Sequence, residues 1–197
     1  MFGHGQVEGY SEKYGMEFRR AKWDESPDEG LIRGHEWRIF PLLHRRYLFA
    51  DVEQFLLYDF YLANGDGSVD ENVFAYSNGL GNGLEADKRM ERGLVIYHNK
   101  FADTRGWIKT SASYIDKSSG KTLRKNIAEG LGLPRVGHVI FKDYVTQLEY
   151  IRSCKEIWDK GMYIELGAYQ CHAFMDWRFV GDIEWNTICD ALNGAGV

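Results

Sequence analysis

The sequence predicts a mainly β protein, an antiparallel β-sandwich or sheet domain, preceded by a short loop and helix. Residues 72–114 contain three short runs rich in β-branched and aromatic side chains, each bounded by Gly, Asn or Asp, as strands are. Two more alternating runs, 162–169 and 171–180, raise the expected number of strands to five or six. The 6 Trp, 12 Tyr and 11 Phe suit an all-β core or a surface that stacks on flat ligands.

The first predicted element is a helix over residues 27–47. Ser26 is expected to be its N-cap, with Pro27 at the first helical position and Glu29 completing a capping box. Pro41 is expected to kink or split the helix near Trp37, because its ring crowds the carbonyl of the preceding turn.

One face of this helix carries an apolar stripe at spacings of three and four residues. The stripe consists of Ile32, Ile39, Leu42 and Leu43. A lone amphipathic helix needs a surface to cover, so we expect the stripe to be partly open in this chain. We accordingly divide the sequence into a loop-and-helix segment, 1–50, and a β domain, 51–197.

The β domain is expected to begin with the apolar run at 55–61, which a turn at 64–68 follows. This turn has oxygen-bearing side chains at alternating positions, as calcium loops do. However, Val69 stands where such a loop needs glycine, and no glutamate closes it, so we predict no metal site. The polar connection at 79–92 is expected to be mobile.

The second half of the chain carries weaker patterns. Residues 121–135 are expected to be irregular with a short helix, and residues 139–141 to be extended. Residues 144–160 are expected to form a helix or a partly helical crossing that Gly161 ends. A last short helix is expected at 185–192.

Composition excludes several functional classes. A net charge of −5 without a basic stripe argues against a nucleic-acid partner. Cys154, Cys171 and Cys189 form no Cys-x-x-Cys pair, so we expect reduced thiols rather than a zinc site. No segment reads as a signal peptide or a membrane span, and we expect a cytoplasmic protein. The glycines at the front lack the preceding strand of a dinucleotide loop, so no cofactor is predicted.

Several segments resemble the α-amylase family of glycoside hydrolases. Residues 2–17, FGHGQVEGYSEKYGME, resemble the stretch at the eighth strand of that family's catalytic barrel, and residues 35–46, HEWRIFPLLHRR, resemble the last barrel helix. Residues 55–180 are similar to the β-sandwich that follows the barrel. The segments NVFAYSN at 72–78, LVIYHN at 94–99, YIELGAY at 163–169 and FMDWR at 174–178 carry this second similarity.

The resemblance implies a role in carbohydrate metabolism without chemistry of its own. In the family, an Asp nucleophile, a Glu acid/base and a second Asp lie on earlier barrel strands, and none of them matches a position here. The resemblance thus implies a missing N-terminal barrel and an α-glucan as substrate of the parent enzyme. His4, Gln6 and Glu8 would lie at the rim of the last barrel strand, where they would either touch sugar hydroxyls or hold the Gly-rich loop.

Three aromatic residues lie in predicted strands. Alternation predicts that Tyr97 and Trp177 face the core and that Trp107, which shares its face with Lys109, is more exposed. Trp107 would therefore be the residue that stacks on a glucan, unless the loop at 79–92 covers it.

Two functional hypotheses compete. The first is the C-terminal part of a hydrolase that acts on starch, glycogen or maltooligosaccharides. The second is a free-standing β-sandwich that binds carbohydrate or is purely structural. The coding sequence upstream of residue 1 separates them.

Overall fold

The computed structural model describes residues 5–11, 24–80 and 91–197. The chain divides into two compact units, residues 1–46 and 47–197. The first unit contains helices α1 (Glu29–Arg38) and α2 (Phe40–His44). The division lies close to the expected boundary after residue 50.

The N-cap of α1 is Asp28, so the prediction of Ser26 is wrong. The Asp28 carboxylate accepts hydrogen bonds from the backbone N–H groups of Gly30 and Leu31, both at 2.9 Å. A carboxylate at this position satisfies two N–H groups that lack helical partners and complements the helix dipole. Pro27 consequently lies before the helix rather than in it.

The predicted break in the helix is confirmed. Helix α1 ends at Arg38, and Ile39 separates it from α2. Pro41 lies in the first turn of α2, where its missing N–H removes no helical bond. The apolar stripe is partly open as predicted, because Ile32, Ile39 and Leu42 are half-buried and Leu43 is exposed.

The second unit is built from ten strands and three helices among the described residues. The strands are β1 (Leu56–Leu62), β2 (Val73–Gly79), β3 (Arg92–His98), β4 (Thr104–Ser111), β5 (Tyr114–Ile115), β6 (Thr122–Leu123), β7 (His138–Asp143), β8 (Glu149–Ser153), β9 (Met162–Leu166) and β10 (Cys171–Val180). The helices are α3 (Ile127–Gly130), α4 (Cys154–Lys160) and α5 (Glu184–Leu192), and a 3-10 turn, Arg46–Phe49, leads into the unit.

Eight strands form one curled antiparallel sheet in the order β8-β7-β10-β3-β2-β1-β4-β9, and β5 and β6 form a small second sheet. The mainly β prediction is therefore confirmed, in the form of one large curled sheet and one small sheet. The inner faces of strands near both edges contribute to one apolar cluster, with Ile164 of β9 and Phe141 of β7 among its members. The sheet thus curls around one core, to which helices α3 and α4 also contribute buried side chains.

Most predicted elements of this unit are observed. Strands β1 to β4, β7, β9 and β10 and helices α3 and α5 occur at the expected places. The polar connection at 79–92 was predicted to be mobile. Residues 81–90 of this connection lie outside the described part of the chain, so the mobility stays a prediction. The three cysteines are free thiols, and Cys154 is buried while the other two are half-buried.

Strand β8 is the element that the sequence pattern missed. The prediction for 144–160 is a helix or a partly helical crossing, and the second alternative is observed, because the segment begins with a turn, continues as β8 and is helical from Cys154. The Ser153 hydroxyl caps α4, and Gly161 ends it with a φ of 87°. Apolar residues three positions apart, such as Leu148 and Ile151, are compatible with a helix. The segment is nevertheless a strand, because β8 pairs with β7.

Tyr97 is 37% exposed, so its predicted place in the core is wrong. Tyr97 does share a face with Val95, but the core side of β3 is formed by Leu94, Ile96 and His98. Alternation defines two faces of a strand without saying which face is buried. Both faces of β3 carry apolar residues, which is why the sequence pattern led to the wrong choice.

Trp177 is buried, at 2% exposure, as predicted. Simple alternation does not continue through this part of β10, because the register of β10 against β7 shifts between Met175 and Arg178. Trp177 belongs to the same core cluster as Phe174, three residues earlier, whereas Phe179, two residues later, is 40% exposed. A β-bulge changes the face of the sheet to which the side chains around it point.

Candidate functional site

The residues predicted from the barrel resemblance are not assembled into a site among the described residues. His4 lies outside the described part of the chain. Gln6 is exposed and Glu8 is half-buried, and the carbonyl of Glu8 accepts a hydrogen bond from the Asp28 N–H at 2.8 Å. The carbonyl of Val7 lies 3.2 Å from Nδ1 of His35. These bonds hold the loop against α1, which was the alternative role expected of this segment.

Trp107 belongs to the second unit and lies on the outer face of β4. It is half-buried, whereas its neighbours Gly106 and Ile108 are buried on the inner face. The predicted outward direction of Trp107 is therefore confirmed, but the expectation that Trp107 is more exposed than Tyr97 is wrong, because Tyr97 is exposed and Trp107 is half-buried. Whether the 79–92 loop covers Trp107 is a prediction that concerns residues outside the described part.

Trp107 has an aromatic partner on each side. In the antiparallel register it is opposite Tyr61 of β1 and opposite Tyr163 of β9. Residues directly opposite on neighbouring strands share a face of the sheet. We call Tyr61, Trp107 and Tyr163 the aromatic strip. With strands about 4.8 Å apart, the strip extends about 10 Å across the sheet.

Two rings of the strip, Trp107 and Tyr163, have specific contacts. The ring centroids of Trp107 and Tyr163 are 5.2 Å apart with an angle of 59° between their planes. The Tyr163 hydroxyl donates to Oε1 of Glu165 at 2.8 Å, and this bond raises the pKa of Tyr163. Nζ of Lys109 lies 5.7 Å from the centre of the Trp107 ring. The strip therefore has an ordered polar border.

A pocket of about 830 Å³ lies at the end of the same three strands. Its polar groups are the carboxylates of Asp103 and Glu165, the amides of Asn64 and Gln170, and the guanidinium of Arg105. Arg105 and Glu165 are opposite each other in the register, on the same face as the strip and two residues further along. The strip and the pocket share no residue, but Arg105 and Glu165 of the pocket lining lie beside Trp107 and Tyr163 on the same face of the sheet.

A second cavity of about 840 Å³ lies between β8 and β9, the two edges of the curled sheet. It contains His172, whose Nδ1 lies 2.8 Å from Oδ2 of Asp143. Asp143 is fully buried, and its carboxylate also accepts hydrogen bonds from the N–H groups of Val145 and Ala173 and from the Thr146 hydroxyl.

The electrostatics of Asp143 fit a structural anion. Burial alone would raise the pKa of Asp143, but the four hydrogen bonds lower it to about 2. The carboxylate remains charged and ties the turn after β7 to β10. Nε2 of His172 has the amide nitrogen of Gln170 at 3.4 Å. This arrangement orients the imidazole of His172.

Sequence reasoning identified Trp107 but missed Tyr61 and Tyr163. Both lie in runs recognised as strands, and alternation within each run gives their face. What the sequence does not contain is the register and the neighbour relationship of β1, β4 and β9, which bring the three rings together. Asp143 and His172 were missed because 29 residues separate them.

No family model matches the chain, and no curated protein or solved structure matches it either. Within residues 5–11, 24–80 and 91–197, no group of three or more His, Cys, Asp and Glu side chains is arranged to hold a metal ion. In the same residues, every helix is too short or too polar to cross a membrane.

Proposed function

We propose that this chain is the C-terminal part of an α-glucan-acting glycoside hydrolase of the α-amylase family, and that it contributes glucan contact and structure rather than chemistry. The family assignment is supported by the resemblance of residues 2–17, 35–46 and 55–180. The substrate of the parent enzyme would be starch, glycogen or a maltooligosaccharide.

The observation that carries the proposal is the order of the two units. A helical unit, residues 1–46, comes first, and a mainly β unit, residues 47–197, follows it. This is the order expected where a barrel of alternating strands and helices ends and a β domain begins. The aromatic strip is in addition compatible with a domain that contacts sugar.

The chain alone is expected not to release reducing sugar from starch, glycogen or maltooligosaccharides. Retaining glycosidases use two carboxyl groups about 5 to 5.5 Å apart, on opposite sides of the bond that breaks. Glu8, Glu12 and Glu17 lie in one short segment and do not provide such a pair from two sides. A reducing-sugar assay on the chain and on a Glu8→Gln, Glu12→Gln double variant checks this. Activity that the double variant loses would contradict the prediction.

The second candidate function is a free-standing carbohydrate-binding domain. The aromatic strip favours it, because exposed rings on a sheet face with polar neighbours suit a ligand that has one apolar and one polar side. A purely structural domain is the remaining alternative, and it requires no sugar contact.

The coding sequence upstream of residue 1 tests the proposal. An open reading frame that continues upstream and encodes strands and helices of a barrel, with an Asp nucleophile and a Glu acid/base, is the expected result. An in-frame stop codon directly upstream, with no barrel sequence before it, would contradict the hydrolase proposal and leave the free-standing domain.

A further inference from the structure

We infer that the aromatic strip and the pocket beside it form a binding site for an α-glucan chain, with Tyr61, Trp107 and Tyr163 as the stacking surface and Arg105, Glu165 and Asp103 as hydrogen-bonding groups. The choice of an α-glucan, rather than another neutral sugar, rests on the proposed function. The location of the site rests on the geometry alone.

The first argument is the shape of the surface. The three rings of the aromatic strip are directly opposite one another on neighbouring strands and extend about 10 Å across the sheet. This length exceeds that of one sugar ring and suits a ligand made of repeated units. The aromatic strip ends at β9, which is an edge strand of the sheet, so an extended ligand can continue past that edge. At the opposite end of the aromatic strip, Val69 pairs with Tyr61 in an isolated β-bridge and borders the strip.

The second argument is the exposure and order of the rings. Tyr163 is 38% exposed and Trp107 is half-buried, so each ring presents part of its surface while the rest is packed. The bond from the Tyr163 hydroxyl to Glu165 fixes that ring before any ligand arrives. Rigid aromatic rings lose little conformational entropy on binding, which favours their use as anchors.

The third argument is charge. The ionisable side chains of the pocket and the border are Asp103, Glu165, Arg105 and Lys109, and their formal charges sum to zero. An anionic ligand such as a phosphorylated sugar or a nucleic acid would meet two carboxylates as well as two cations here, so the surface offers it no net attraction. A neutral ligand with many hydroxyl groups would instead find both donors and acceptors, with the amides of Asn64 and Gln170 adding to both.

Elsewhere on the outer face, Phe74 and Tyr97 provide a natural comparison. They too are opposite each other, on β2 and β3, and they are 48% and 37% exposed. This pair has only two rings and is not part of the pocket lining. We therefore expect it to contribute nothing to glucan binding, and it serves as the matched control.

The test is calorimetric titration of the full chain with maltoheptaose. The native chain is expected to bind, Trp107→Ala to lose about tenfold or more in affinity, and Tyr163→Ala about threefold to tenfold. The Phe74→Ala, Tyr97→Ala double variant is expected to bind like the native chain. Circular dichroism melts of each variant establish that the fold is retained.

Four results would overturn the inference, and the first three concern binding. These are no binding by the native chain, an equal loss in the Phe74→Ala, Tyr97→Ala control, or tighter binding of cellohexaose than of maltoheptaose. A concentration-dependent dimer that Trp107→Ala abolishes would also overturn it, because the strip would then be a contact between copies. The upstream reading frame decides the proposed function independently, so failure of the titration and failure of that proposal are distinguishable.

Discussion

Replacing Trp177 with alanine is expected to lower the free energy of unfolding of the β unit by about 3 to 5 kcal/mol, the range for deleting a large buried aromatic side chain. Trp177 is only 2% exposed, and its ring stacks on Phe141 with centroids 4.4 Å apart and an angle of 24°. Its indole N–H donates to the carbonyl of Phe174 at 3.2 Å. Alanine would leave a cavity and remove the indole hydrogen bond to that carbonyl.

Differential scanning calorimetry measures this effect as a change in the Tm and enthalpy of unfolding. Trp37→Ala is the matched control, since Trp37 is 58% exposed and lies in the first unit. A Trp177→Ala transition within about 1 kcal/mol of the native value would contradict the assigned packing, since such a small change is typical of surface substitutions.

Replacing Asp143 with asparagine is expected to cost about 2 to 4 kcal/mol, because an amide cannot accept all four hydrogen bonds and its NH₂ group would face their donors. The carboxylate is fully buried and bonds with His172, Ala173, Val145 and Thr146. Asp159→Asn, at an exposed position on α4, is the control and is expected to change stability little. An Asp143→Asn chain as stable as this control would contradict the structural role.

The same residue predicts a pH dependence. The pKa of Asp143 is lowered from 3.8 to about 2 in the folded chain, so its contribution is complete above pH 4 and is lost as the pH falls from about 4 to about 2. At about 1.4 kcal/mol for each pKa unit, the loss is about 2 kcal/mol. Urea titrations of the native and Asp143→Asn chains are expected to converge over this interval. A difference that stays constant down to pH 2 would contradict the lowered pKa.

The positions of most strands could be predicted because each strand has a local signal. Strands β2, β3 and β4 are rich in β-branched and aromatic residues and are separated by Gly, Asn or Asp. The end of α4 could also be predicted from the sequence, because Gly161 takes a φ of 87° that other residues rarely adopt. In all these cases the decisive interaction lies within a few residues.

The errors arose where a distant partner decides the structure. Strand β8 forms because β7 offers it a free edge, and Tyr97 faces outward because the curled sheet buries the other side of β3. Neither fact is encoded in the local pattern of hydrophobic residues. The N-cap error is different, because Ser26 and Asp28 are both good caps and the geometry at Asp28 decides between them.

The candidate site, too, could be predicted only where the signal is local. Trp107 and its outward direction follow from alternation within one strand, whereas the strip requires the register of β1, β4 and β9 together. The pocket requires, in addition, residues from the turns that follow β1 and β9, such as Asn64 and Gln170. A sequence pattern therefore identifies one member of such a site and leaves its partners to the topology.

The most direct test of a glucan-contacting role is the response of the six tryptophan indole N–H signals to maltoheptaose, measured by ¹H–¹⁵N NMR on the native chain. The signal of Trp107, assigned by its absence in Trp107→Phe, is expected to shift progressively and saturate. The signal of Trp177, whose N–H donates to the Phe174 carbonyl in the core, is expected to remain in place. A Trp107 signal that stays unchanged while the sugar shifts another indole, or shifts none, would contradict the account.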